Sequence, residues 1–140
     1  MWIPQVYGPE WREDLNKFAT HVESVARDNA TKMIAEEFNQ ECFSQSTVDT
    51  VARRVANQLN IRHLFCEPSK TERANMDQNK LDEEREAYWL RLLEASDEAS
   101  AVFICGDDHV ETFSKLAKVR HHVVDVASCK KWGCGWQLKT

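Results

Sequence analysis

Ala101-Val102-Phe103-Ile104-Cys105-Gly106-Asp107-Asp108-His109 is the stretch on which the fold turns. Five uncharged, largely β-branched or aromatic residues run straight into a glycine and an acidic pair. Val110, Phe113, Leu116 and Ala117 then recur at the three-and-four spacing of one helical face. The reading is a strand that passes through a tight turn into a helix, which is the repeating half of a βαβ unit.

Working outward toward the N-terminus, the same alternation returns. Tyr88, Trp89, Leu92 and Leu93 mark a helix from Leu81 to about Ser96, and Ser69-Lys70-Thr71-Glu72 has the form of a capping box ahead of it. The cluster Asp82-Glu83-Glu84-Arg85-Glu86 is expected to be the solvated face of that helix. Ile61 to Cys66 reads as a strand closed by Glu67-Pro68. Val48, Val51, Ala52, Val55, Ala56 and Leu59 form a helical stripe with Ser46 or Thr47 as N-cap and Asn60 at its stop. Lys32 to Glu37 is a short strand, and Leu15, Phe18, Ala19, Val22, Val25 and Ala26 define a helix behind Pro9. Trp2 to Tyr7 and His122 to Val126 are candidate first and last strands, with Pro4 restricting the former to an edge or entry position. The expected architecture is α/β: a small, three-layer, doubly wound, mainly parallel sheet of about five strands with helices on both faces. Residues 1–127 are expected to form a single domain, followed by a tail over 128–140.

Composition agrees with one globular domain. The chain has 140 residues, 42% hydrophobic and 29% charged, enough for one core and too few for two. No apolar run approaches the roughly 20 residues that span a bilayer, so no membrane association is expected. Met1-Trp2-Ile3-Pro4-Gln5 has neither the basic start nor the apolar stretch of a secretory signal, which favours the cytoplasm. A net charge of -5 argues against nucleic acid as a partner. The five cysteines are odd in number and lack C-x-x-C spacing, so reduced thiols are expected.

Ligands of open parallel sheets bind outside the carboxyl ends of the strands. Here those ends are acidic: Glu36-Glu37, then Cys66-Glu67, then Gly106-Asp107-Asp108-His109. The candidate catalytic residues are therefore His109, Asp107, Glu37 and Glu67, with Glu36, Arg73 and Gly106 as candidate ligand-binding positions. Carboxylates and an imidazole suit general acid/base work, and they also suit a divalent metal, for which Asp107 and His109 are the candidate ligands. Asp107 or Asp108 can equally cap the following helix, and Arg73 can equally neutralise Glu67. Adjacent strand residues face opposite sides, so only one of Glu36 and Glu37 is expected in a given pocket. Cys66 and Cys105 are expected to pack as small hydrophobes. In the tail, Lys130, Lys131, Trp132 and Trp136 are better read as a packing surface than as a nucleic-acid footprint.

The run Val102 to Phe113, with Gly106 and His109 as G-x-x-H, resembles the late strand-turn-helix of the TraB/Tiki-like superfamily, which includes ChaN-like and erythromycin-esterase-like proteins. The resemblance implies an α/β fold and metal-dependent or general-base hydrolysis by histidines with nearby glutamates. In the early counterpart of the motif, Gly8-Pro9-Glu10-Trp11, Trp11 stands where that superfamily has histidine. The resemblance thus implies half of the paired site, or a degenerate relative. Two functions compete. One is a hydrolase-like enzyme acting on a small-molecule or peptide substrate. The other is a non-catalytic binding or assembly module, including a homo-oligomer held by the tryptophan-containing tail. Thiol redox chemistry is a weaker third.

Overall fold

The computed structural model describes residues 9–39 and 50–123, with the side chains of 9–14 excepted. The elements are α1 (Pro9–Asp28), β1 (Met33–Glu36), α2 (Val51–Leu59), β2 (Arg62–Phe65), α3 (Lys70–Ala74), α4 (Leu81–Ala95), β3 (Ala101–Ile104) and α5 (Asp107–Lys118). A single 3₁₀ turn over Gln78–Lys80 leads into α4. The three strands form one parallel sheet in the order β2-β1-β3. Ala35 of β1 lies opposite Leu64 on one side and Phe103 on the other.

The central strand is the one whose residues are buried on both faces. Met33, Ile34 and Ala35 have no exposed surface, as a continuous apolar run in a parallel sheet requires. Ile34 joins a cluster with Ala19, Val22 and Ala26 of α1 and Ala52, Val55 and Ala56 of α2. Met33 and Ala35, pointing the other way, join Trp89 and Leu90 of α4 and Phe113 of α5. Fully burying Ile34 or Val55 stabilises the fold by roughly 1.5–3 kcal/mol each.

The helix ends have local causes. Thr50 caps α2 by accepting from the Arg53 backbone N–H at 3.1 Å. Asn60 ends that helix in the left-handed region at φ 55°, ψ 44°, a conformation its short amide side chain tolerates. The capping box of Ser69 and Glu72 forms, on the short α3. Its Ser69 N–H and hydroxyl hold the Glu72 carboxyl below its usual range, with help from the Tyr88 hydroxyl.

Some expectations shift. The Asp82–Glu86 cluster is not uniformly solvated: Arg85 and Glu86 turn inward while Asp82 stays exposed. The N-cap of α5 is Gly106, so Asp107 and Asp108 occupy the first turn and favour it through the helix dipole rather than by capping. Three strands are present among the described residues, and His122 and Val123 are not in a strand. The expected strand at 2–7, the rest of the one ending at Val126, the caps at Ser46 and Thr47 and the tail 128–140 lie outside the described residues. Among the described residues no helix is long and apolar enough to cross a membrane.

Candidate functional site

The order β2-β1-β3 sends the connection after β1 to one side of the sheet and the path to β3 to the other. The crevice between the carboxyl ends of β1 and β3 is therefore the topological switch point, where ligands of such sheets bind. Glu37 follows β1 into this crevice, and the Gly106 N–H, following β3, donates to Glu37 Oε1 at 2.7 Å. That glycine has ordinary backbone angles, φ -59° and ψ 148°. Its use is space, since a Cβ there would stand 3.3 Å from Glu37 Oε1 and 3.8 Å from His109 Cδ2.

Arg85 fills the middle of the group. Its Nε donates to Glu67 Oε1 at 3.1 Å, and Nη2 donates to Glu67 Oε2 at 2.5 Å and, by a shorter contact, to Glu37 Oε2. Nη1 donates to Asp82 Oδ1 at 3.1 Å. The guanidinium lies over the Trp89 ring, 5.4 Å from its centroid, and Trp89 Nε1 donates to Glu67 Oε1 at 3.2 Å. Desolvation works against the guanidinium charge, but hydrogen bonds and attraction from Glu67, then Glu37, outweigh it and raise its pKa.

His109, in the first turn of α5, is 9% exposed. Its Nδ1 lies 2.9 Å from Glu86 Oε2, which also accepts from Thr112 Oγ1 at 2.7 Å. Its Nε2 lies 3.5 Å from Arg85 Nη1 and 3.7 Å from Glu37 Oε2. Trp89 meets the imidazole edge-on, centroids 5.0 Å apart. A histidine held at one nitrogen by a buried carboxylate, with its other nitrogen toward Arg85 and Glu37 at the strand ends, has the arrangement of a general base.

On the opposite face of β1, Glu36 makes a separate pair. Its Oε2 lies 2.5 Å from His63 Nε2 and accepts from Thr50 Oγ1 at 2.6 Å. Glu36 and Glu37 thus face different sides, as strand alternation requires.

Of the expected site residues, Glu37, Glu67, Gly106 and His109 come together. Glu36 stands apart with His63. Asp107 is half-buried in the first turn of α5, and its charge is the last of those that act on the Cys105 thiol. Arg73 does not neutralise Glu67, because Arg85 does; the Arg73 Nε is buried without a hydrogen-bond partner among the described residues. Among the described residues no three His, Cys, Asp or Glu side chains converge as a metal site, so the pair Asp107 and His109 gains no third ligand there. Burial, followed by the charges of Glu37, Glu86 and Asp107, pushes the Cys105 thiol up to about 12, and burial pushes Cys66 up to about 12 as well. Neither thiol is activated.

Arg85 and Glu86, read as solvated, Trp89, read only as a helix marker, and Thr112 are not among the expected site residues. The available signal was helical spacing: counting back three and four from Trp89 reaches Glu86 and Arg85, which places both on the inward face. Charge composition argued the other way, and the spacing prevails in the fold. No family model, no curated protein and no solved structure matches this chain.

Proposed function

We propose that the chain is a small hydrolase-like enzyme whose site is the strand-end crevice, with His109 as general base. The observation that supports this reading is the direction of His109 Nε2, toward Glu37 and Arg85 at the switch point. In the proposed reaction Nε2 takes a proton from water, the resulting hydroxide attacks the scissile bond, and the proton is then delivered to the leaving group. In this reading Arg85 supplies the positive charge beside Nε2, and Glu37 and Glu67 hold it in place. The substrate is a small molecule or a peptide, in the cytoplasm. The resemblance to the TraB/Tiki-like superfamily belongs to this proposal, with His109 serving as the single histidine of its G-x-x-H.

A panel of ester, amide and phosphoester substrates, hydrolysed by wild type and by His109→Ala, tests the reading. Losing a general base lowers a rate by roughly 10²–10⁴-fold. Equal rates in the two proteins on every substrate that is turned over would rule His109 out as the base.

A second reading, a non-catalytic binding or homo-oligomeric assembly module, is favoured by the saturation of Arg85 by Glu37, Glu67 and Asp82. Such a network can serve only to lock α4 onto the sheet. Failure of the whole substrate panel, with a dimeric mass in solution, would favour it.

We also read the sheet as the centre of a three-layer, doubly wound fold of about five strands. In support, a groove of about 960 Å³ runs along β3, and Val123, where the described chain ends, lies on its wall.

A further inference from the structure

We propose that Glu86 is a positioning residue that fixes His109 as the Nδ1–H tautomer, leaving Nε2 without hydrogen on the side that faces Arg85 and Glu37. The proposal rests on the reading of His109 as the base and adds to it a residue that reads from sequence as solvated charge.

Three neighbours determine where the imidazole proton resides. Glu86, with 7% of its side chain exposed, is an acceptor when ionised, so the nitrogen 2.9 Å from it carries hydrogen. Arg85 is a donor only, so the nitrogen 3.5 Å from its Nη1 is the one that accepts. Glu37 Oε2 would favour the reverse, but it stands 3.7 Å away and already accepts from Arg85 Nη2. Two neighbours therefore agree on one tautomer, and the third lies beyond hydrogen-bond range.

The support behind Glu86 is structural. Glu86 and Trp89 are three apart on α4, and His109 and Thr112 are three apart on α5, so each pair shares one face of its helix. Thr112 Oγ1 donates to the same Glu86 oxygen at 2.7 Å, which aims the carboxylate at Nδ1. Trp89 fixes the plane of the ring, meeting it at 74°. When Nε2 takes a proton from water, the imidazolium keeps its Nδ1–H on an ionised Glu86. The same Nε2 proton then leaves with the departing group, and Glu86 neither gains nor loses one. A carboxylate in this position orients and stabilises the base without touching substrate.

The test is a long-range ¹H–¹⁵N correlation on the imidazoles of the full ¹⁵N-labelled chain at about pH 8, above the ordinary histidine range. Wild type is expected to show His109 as a single tautomer, protonated at Nδ1 and bare at Nε2. Glu86→Gln, whose amide can also donate to Nδ1, is expected to turn this into a mixture, with backbone signals outside α4 and α5 unchanged. A proton on Nε2, or on both nitrogens, in wild type would overturn the proposal. A pure Nδ1–H tautomer in folded Glu86→Gln would overturn it too. The wild-type arm decides without any variant, so misfolding of Glu86→Gln does not leave the matter open. Because no substrate enters the measurement, an inactive protein with the expected tautomer would count against the hydrolase reading alone.

Discussion

Replacing Arg85 with methionine removes one cation from between two carboxylates and keeps an unbranched, uncharged side chain in its place. In the native protein Glu67 and Glu37 have 7% and 14% of their side chains exposed, and Arg85 has 14%. Breaking a buried pair by removing one partner costs about 3–5 kcal/mol, because the remaining charge stays desolvated. The Asp82 contact adds little, since that carboxylate is 71% exposed. The expected loss is thus about 3–5 kcal/mol, which in a domain of this size lowers the thermal midpoint by roughly 10–20 °C. Urea unfolding of wild type, Arg85→Met, and Arg85→Met combined with Glu37→Gln and Glu67→Gln measures it. Neutral amides in place of the stranded carboxylates should recover part of the loss. A drop below about 1 kcal/mol in Arg85→Met, the range of exposed pairs, would refute the picture of a desolvated cluster.

Trp89→Ala removes a fully buried ring and the donor to Glu67, and should destabilise by about 3–5 kcal/mol in the same assay. Gly106→Ala should change the unfolding midpoint little, because the clashing atom is the end of the Glu37 side chain; it should displace that carboxylate by a few tenths of an ångström and lower any turnover. Thr50→Ala loses both the cap of α2 and a hydrogen bond to Glu36, for about 0.5–2 kcal/mol by chemical denaturation. With the Cys66 and Cys105 thiols held up to about 12, thiol reagents should label these two of the five cysteines slowly in the native protein at mildly alkaline pH and rapidly once it unfolds, as peptide mass spectrometry would read. The raised values also set a sign: this contribution to stability is whole below the ordinary thiol pKa of 9.0 and is lost as pH rises toward about 12.

The parts of the fold legible in the sequence are those governed by local periodicity. The α2 stripe of Val51, Ala52, Val55 and Ala56, the stop at Asn60 and the turn from β3 through Gly106 into α5 all follow from spacing and backbone preference. Strand order does not, because nothing local says that β1 lies between β2 and β3. The site divides in the same way. Glu37, Glu67 and His109 can be named because the parallel fold itself brings strand ends together. Arg85 and Glu86 belong to a helix whose charged run resembles a surface, and only the burial of Trp89 three and four residues on turns that run toward the sheet. The tautomer of His109 depends on its contacts with Glu86 and Arg85, 23 and 24 residues earlier in the chain, and no local pattern encodes it.

The most direct test of the account is the ratio of kcat/KM between wild type and His109→Ala on the best substrate of the panel, with both proteins shown to be folded. The account predicts a ratio of at least about 10², the lower range for loss of a general base. A ratio near one would remove His109 from the chemistry and leave the strand-end network as a structural lock between α4 and the sheet.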